Sequence, residues 1–478
     1  MNILFVSSEC YPLIKTGGLA DVVGALPLAF DPSITNTTVF LPGFPDVLKN
    51  IKNTQKIAEF TDLAGGKSSL VKGTSSTGLN VIVMIAPHLF DLEGNPYVDM
   101  QGHDRAGNHI RYAAFSKAAS DLSIGKLADL YTFDCVHAHD WQAGLTFAYL
   151  EAENLPKGPK RILTIHNLAF QGLFPKEIFA QLRLPSSMFS SNQLEYWGQV
   201  SYLKAGVVFS DHVTTVSPTY AAEIKTEELG MGFGGLLNAI KDRVSGITNG
   251  IDQGIWDPES DPQITASYSA QSLAGKALCK KALQEKMGLT RSVKKPLFCV
   301  ISRLTTQKGL DLVLKAIPHL LKNGAQIAIL GSGDHDLEHR YLEAADKYKG
   351  SVSTYIGYNE VLAHQVQAGA DFILIPSRFE PCGLTQLCAM RYGTIPVVTR
   401  VGGLNDTVID CNESALKLGL GTGIHLNDVT ENALIESLDR SLGLFHSKKL
   451  TNKIRKNGMK QDLSWKSPAQ AYNDLYSL

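Results

Sequence analysis

Residues 373–386 read Ile-Leu-Ile-Pro-Ser-Arg-Phe-Glu-Pro-Cys-Gly-Leu-Thr-Gln, with Glu380 the one carboxylate in the stretch. An apolar run of strand length leads into a turn bounded by two prolines, and a helix is expected to open at Gly383. The start of a helix carries unsatisfied N–H donors and partial positive charge, so it suits an anion. The Thr385 hydroxyl adds a further donor. The stretch therefore predicts a site that holds a phosphate group and orients a polar ligand through Glu380.

Residues 301–309, Ile-Ser-Arg-Leu-Thr-Thr-Gln-Lys-Gly, have the same strand-to-helix form. Arg303 and Lys308 flank this turn, and two cations beside a helix start are what a diphosphate requires. A solvated basic turn has the same composition. In Lys15-Thr16-Gly17-Gly18-Leu19-Ala20-Asp21, two glycines precede an amphipathic helix, so backbone N–H groups can approach an anion closely while Lys15 adds charge. That pattern is neither a Walker loop nor GxGxxG, and a plain turn with a surface lysine fits it equally well.

Two more polar clusters close apolar runs, His137-Ala138-His139-Asp140-Trp141 and Thr164-Ile165-His166-Asn167. A metal at the paired histidines lacks a third histidine at ligand spacing. A sugar-binding rim with Trp141 as a flat apolar platform is the better fit. Three strands of one half, starting near residues 3, 135 and 162, all end in polar clusters, which favours function over isolated structural histidines. Tyr355 and Tyr358 have the type and spacing to stack a base, although aromatics near a strand end are commonly core. GxSxG, HExxH and Cys–His nucleophile patterns are absent, as is an Asp-x-Asp clamp. Phosphates are thus expected to be neutralised by Lys15, Arg303, Lys308 and helix starts, with no metal.

The elements that must hold these clusters alternate. Short β-rich runs at 3–6, 38–41, 81–86, 135–136, 162–165 and 213–216 are separated by helical patterns such as 111–122 and 143–150, which indicates a parallel sheet covered on both faces. A turn-rich stretch at 244–252 suits a domain junction. The alternation then restarts: strands at 297–301, 328–330, 352–356, 373–375 and 396–398, with helices at 310–317 and 337–347. The expected organisation is an α/β chain with an N-terminal domain at 1–243, a second doubly wound domain at 244–457 and a terminal helical segment at 458–478. Ligands are expected at the carboxyl ends of both sheets, in a cleft between the domains.

Totals narrow the classes. At 478 residues, more than one core is expected. A net charge of −1 argues against nucleic acid or an anionic membrane as the main partner. The longest apolar runs are strand-sized, and the chain enters a strand at residue 3 with no basic n-region, so a cytoplasmic protein without a signal peptide is expected. Seven scattered cysteines without a CxxC pair point to buried thiols and neither disulfides nor a zinc cage.

Taken together, the chain resembles the bacterial glycogen synthase and plant starch synthase family along essentially its whole length. The motifs that carry the resemblance are KTGGLADV at 15–22, HAHDW at 137–141, TIHNLAFQG at 164–172 and SDHVTTVSPTYA at 210–221. TNGID at 248–252, SRLTTQKGLDL at 302–312, IPSRFEPCGLTQL at 375–387 and GGLNDTV at 402–408 complete the set, in the family's order. The resemblance implies two Rossmann-like domains facing a deep cleft, the GT-B fold, with a C-terminal helix crossing back to the first domain. It implies a retaining hexosyltransferase that moves glucose from ADP-glucose to the non-reducing 4-OH of an α-1,4-glucan, without a cofactor.

Carried over by position, Lys15, Arg303 and Lys308 would contact the diphosphate, with Gly18 supporting it. Asp21 would lie on the nucleotide side and Tyr358 would stack the adenine. Glu380 would hold glucose hydroxyls, with Cys382, Gly383, Leu384 and Thr385 binding sugar and phosphate through their backbone. Asn249 would sit near the 6-OH, and His166, followed by Asn167, beside the anomeric carbon. Tyr97, Asp140 and Trp141 would border the acceptor. The chain departs from the family pattern at Gly107, at Phe233-Gly234 and at Asn405.

Overall fold

In the computed structural model, residues 1–92, 94–99, 102–127 and 132–478 are described. They divide into two compact units, Met1–Asn249 with Trp465–Leu478, and Gly250–Ser464.

The first unit is built on β1 (Asn2–Val6), β2 (Asn36–Pro42), β3 (Lys52–Leu63), β4 (Gly66–Thr74), β5 (Asn80–Ile85), β6 (Cys135–His139) and β7 (Lys160–Ile165). A small sheet follows, β8 (Leu173–Pro175), β9 (Glu195–Tyr196) and β10 (Gln199–Ser201), and then β11 (His212–Thr215) and β12 (Val244–Gly246). The main sheet runs β12-β11-β7-β6-β1-β2-β5-β4-β3. β1 lies at its centre, with Ile3, Leu4, Phe5 and Val6 fully buried, and pairs in parallel with both β2 and β6. The chain builds outward on one side through β2 and β5, then returns to the other side of β1 through β6. The β1/β6 junction is therefore a topological switch point, where loops diverge and leave room for a ligand.

Strands β3 and β4 form an antiparallel hairpin at the sheet edge that the apolar pattern did not indicate. β3, Lys-Asn-Thr-Gln-Lys-Ile-Ala-Glu-Phe-Thr-Asp-Leu, is exposed along most of its length and has no alternating buried face to betray it. Its lysines and glutamate are what an exposed edge carries.

The second unit contains β13 (Leu297–Ile301), β14 (Gln326–Gly331), β15 (Val352–Ile356), β16 (Phe372–Ile375), β17 (Ile395–Thr399) and β18 (Ile424–Leu426). They form a parallel sheet ordered β15-β14-β13-β16-β17-β18, the doubly wound order with its switch point between β13 and β16. Its amino-terminal edge is locked by a buried carboxylate. Asp371 accepts from Lys280 Nζ and Arg455 Nη2, both at 2.6 Å, and from the Leu297 N–H at 2.9 Å. Burial pushes this carboxyl up, but the two cations outweigh it and hold Asp371 below the usual carboxylate range. The helices Ala274–Lys286 and Lys448–Met459 are thereby tied to β13 and β16 at the end opposite the switch-point loops. All seven cysteines are buried and free.

Two boundaries differ from the expected 243/244 and 457/458. The first unit continues to Asn249 because β12 pairs with β11. The second continues to Ser464, since Ile454 and Met459 of the helix Lys448–Met459 are buried in its core clusters. Composition alone allowed the terminal helix, Lys466–Ser477, to pack on either unit; it belongs to the first. Tyr476 Oη lies 2.7 Å from His137 Nδ1, and Lys160 Nζ donates to Leu475 O at 2.8 Å. Tyr476→Phe leaves that buried nitrogen unpaired, so the first unit should lose about 1–3 kcal/mol. Equilibrium unfolding in urea measures this, and an unchanged midpoint would show that the contact does not anchor the helix.

Candidate active site

The loops that follow β13 and β16 meet at the switch point of the second unit. Lys308 Nζ lies 2.6 Å from Glu380 Oε2, with the two side chains 16% and 7% exposed. Ser377 Oγ donates to the same oxygen at 3.0 Å. Both fixed contacts fall on Oε2, and Oε1 makes no hydrogen bond among the described residues. The turn is clamped from two sides by glycines. Gly309 has φ +69°, and a Cβ there would lie 2.0 Å from Pro376 O; at Gly402, φ +41°, it would lie 1.9 Å from Glu380 O. Arg378 adds a bidentate pair with Asp311 at 2.7 and 2.8 Å, and its N–H donates to Gln307 O at 2.8 Å. These contacts join the two loops into one rigid rim.

Arg303 is exposed on this rim and, among the described residues, makes only a 3.4 Å contact to Gln307 Oε1, so most of its guanidinium can meet an anion. The helix opens at Thr385, two residues later than expected, with Leu384 at its N-cap and no side-chain cap. Gly383, φ +70°, makes the bend, and Gln386 Nε2 holds it by donating to Cys382 O at 3.0 Å and Gly383 O at 2.7 Å. Cys382 itself is buried, so only its backbone can face a ligand. Tyr358, in the loop after β15, is 70% exposed, and its hydroxyl donates to Glu360 Oε2 at 2.9 Å.

In the first unit, the turn after β1 is organised by a residue that sequence reasoning missed. Glu9 is buried, and its carboxylate accepts from the Thr16 and Gly17 N–H groups, from Thr16 Oγ1 at 2.5 Å and from Tyr97 Oη at 2.5 Å. Its one visible signal was an acid three residues beyond a fully apolar strand. Lys15 pairs with Asp21 at 2.7 Å, so these two expected ligand contacts hold each other. Gly18 is the first residue of the helix Gly18–Ala29, which has no side-chain cap. Tyr97 also lies 2.7 Å from Ser8 Oγ and serves the same network.

His137 and His139 alternate along β6 and share one face, their rings stacked at 4.2 Å. Both ring nitrogens of His137 are used, by Tyr476 at 2.7 Å and by Thr164 Oγ1 at 2.6 Å. His139 Nδ1 lies 3.0 Å from Nε2 of the half-buried His166. Among the described residues, no group of three His, Cys, Asp or Glu side chains is placed to hold a metal ion. Asp140 turns the chain from β6 into the helix Asp140–Ala152 in the left-handed region, φ +56°, a conformation an aspartate tolerates but rarely adopts. Its Oδ1 accepts from the His166 N–H at 2.7 Å. Burial pushes the Asp140 carboxyl up to about 7, against the stabilising N–H groups of His166 and Asn167. The Asn167 side chain accepts from the Ala169 N–H at 3.0 Å and shapes the same turn. Asn249 is buried, and its Oδ1 has no partner among the described residues.

Trp141 corrects an expectation. Its ring is core, 8% exposed, edge-on to Tyr112 at 5.0 Å and to Phe174 at 5.7 Å, so it offers no open platform. The helix that starts at Asp140 directs the next residue inward, toward Tyr202 and β8, a direction that residue type does not reveal.

Residues 2–239 match the family model described as starch synthase catalytic domain, and residues 284–461 match glycosyl transferases group 1. A glycogen synthase of Rhodopseudomonas palustris is 51% identical over 476 residues, 100% of this chain and 98% of that protein. One from Roseobacter denitrificans is 47% identical over 476 residues, 100% of this chain and 99% of that protein. The chain belongs to the glycogen and starch synthase family of glycosyltransferases.

Among solved structures, the catalytic domain of Starch Synthase IV from Arabidopsis thaliana, bound to ADP and acarbose, superposes with a TM-score of 0.90 at 30% identity, covering 99% of this chain and 98% of that one. A sucrose-phosphate synthase from Thermosynechococcus elongatus shares the fold at TM-score 0.61 and 17% identity, covering 100% and 98% of the two chains. The two Rossmann-like units are thus those of the GT-B fold.

Burial pushes His137 and His166 down to about 3 and His139 well below the ordinary imidazole range. Their unfolded forms take up protons below about pH 6.5 while the native forms stay neutral, so the stability they contribute is lost as pH falls from 6.5 towards 3. For His137 alone the loss between pH 7.5 and pH 5 is about 2 kcal/mol. Asp140, raised to about 7, acts with the opposite sign and returns a comparable amount over the same interval. Three histidines outweigh one carboxylate, and the first unit should be less stable at pH 5 than at pH 7.5 by roughly 2–4 kcal/mol in denaturant unfolding. A gain in stability on acidification would contradict neutral burial of the histidines.

Proposed function

We propose that the chain transfers glucose from ADP-glucose to the non-reducing 4-OH of an α-1,4-glucan with retention of configuration. The observation that carries this reading is the Lys308–Glu380 pair at the β13/β16 switch point, a cation suited to a diphosphate set against a carboxylate with Oε1 open to sugar hydroxyls. Family membership supports the same reaction, and the ADP and acarbose of the Arabidopsis structure are a nucleotide and a glucan-like molecule.

The leaving group is a nucleoside diphosphate, so the main demand is to stabilise charge growing on the β-phosphate. Arg303, Lys308 and the uncapped N–H groups from Gly383 to Thr385 meet it in the second unit, with Tyr358 stacking the base. Lys15 and the Gly17–Gly18 backbone serve phosphate in the first unit, with Asp21 acting by holding Lys15. Asn249 Oδ1, unpartnered, suits the sugar 6-OH. Asp140 acts by positioning: it grips the His166 N–H, and the Asn167 N–H favours its charged form, which steadies the peptide whose carbonyl would face the anomeric carbon. With no carboxylate assigned as nucleophile, attack on the same face within an ion pair accounts for retention. Tyr97 borders the acceptor through its bond to Glu9. No metal or other cofactor is required, and the chain is assigned to the cytoplasm; among the described residues no helix is long and apolar enough to cross a membrane.

Glu380→Ala should nearly abolish incorporation of labelled glucose into glycogen while ADP binding persists, because Lys308 stays on the rim. Loss of ADP binding in calorimetry would show that Glu380 shapes the phosphate site instead. Arg303→Ala and Lys308→Ala should each lower kcat by about 10²–10³-fold, the effect of one preorganised donor. Assays of the intact chain with ADP-glucose against UDP-glucose, with and without chelator, test the base and metal assignments; preference for UDP-glucose or chelator-sensitive transfer would overturn them.

A further inference from the structure

We propose that His139 is a positioning residue that sets the tautomer of His166, so that His166 meets its ligand as a hydrogen-bond donor through Nδ1–H. The register of β6 and β7 opposes His139 to Thr164, and His166 follows two residues on, which brings its ring to His139. A single proton bridges His139 Nδ1 and His166 Nε2, 3.0 Å apart. Its owner is decided at the other side of the His139 ring. His139 is fully buried against His137 and Phe5, with ring centroids at 4.2 and 5.3 Å, and its Nε2 has no partner among the described residues.

If His166 donated, the neutral His139 would carry its own proton on Nε2, leaving a buried N–H with nothing to bond. If His139 donates, Nε2 is a bare lone pair, and orphaned acceptors are tolerated more readily than orphaned donors. His139 is therefore the Nδ1–H tautomer. His166, accepting on Nε2 and held neutral by burial, carries its proton on Nδ1. That nitrogen makes no hydrogen bond among the described residues, and the ring is half-buried. The outward nitrogen of His166 is thus a donor fit for a hydroxyl or ether oxygen, and not a general base. His137 does not compete for the bridge, because both its nitrogens are engaged by hydroxyls.

The catalytic consequence rests on the glucosyl transfer proposed above, whereas the tautomer does not. Two variants separate donor from packing: His139→Phe keeps the ring stack without a donor, and His139→Asn restores an N–H near the position of Nδ1. In ¹⁵N-histidine NMR of the full chain at pH 7.5, with His166 assigned by its loss in His166→Asn, the wild type should show Nδ1–H with Nε2 accepting. His139→Asn should retain that pattern and His139→Phe should shift population to Nε2–H. With ADP-glucose and glycogen, His139→Phe should lower kcat by about 10–100-fold, the effect of losing a supporting contact, and His139→Asn should recover most of it. A wild-type His166 protonated on Nε2, or equal kcat for the two His139 variants, overturns the proposal. Failure of the wild type to transfer glucose would instead overturn the reaction assignment, and the NMR would still decide the tautomer.

Discussion

The ion pair between Lys308 and Glu380 is the contact on which the second unit's site depends. Desolvating a lysine and a carboxylate is costly, and their 2.6 Å contact offsets that cost only because Ser377 and the clamped backbone hold the geometry. The same constraint explains the glycines at 309 and 402: any side chain there would push the two loops apart and break the pair. A carboxylate held this way keeps one oxygen committed to Lys308 and Ser377 and the other open. That is a suitable state for gripping hydroxyls and a poor one for acting as a nucleophile.

The first unit solves a related problem by different means. Its switch-point turn is also shaped by a buried acid, Glu9, but the partners are backbone N–H groups and hydroxyls in place of a cation. Beside it stands a row of neutral imidazoles whose protons are fixed by burial and by hydroxyl or imidazole partners. The Tyr476–His137–Thr164 chain links the terminal helix to β6 and β7, so the same histidine motif that borders the site also docks the end of the polypeptide. Asp140, in the left-handed region and with a raised carboxyl, is the strained point of this arrangement. Its strain is maintained by the hydrogen bond to the His166 backbone.

Much of this was legible in the residues. Apolar runs such as 297–301 and 373–375 read directly as the strands β13 and β16, because a strand buried on both faces must be continuously apolar. Arg303, Lys308, Glu380 and Tyr358 were identifiable because loops at sheet ends have no packing reason to carry such side chains. The exposed hairpin β3–β4 was invisible since neither face is consistently buried, and β12 was taken for a linker because its Val-Ser-Gly carries no strand pattern of its own.

By itself the sequence determined the two alternating α/β halves, the family and the residue types available at each strand end, since these follow from local pattern and motif order. Tertiary structure alone decided which of those side chains act and which support. Trp141 and His139 sit two places apart in the HAHDW motif, yet one packs in the aromatic core and the other is a hydrogen-bond partner of His166. Glu9 became the organiser of the turn after β1, and Lys15 and Asp21 became partners. The reason is directional. Motif spacing tells which residues leave a strand together, but the direction of each side chain depends on the backbone angle at Asp140 and on neighbours brought in from distant parts of the chain.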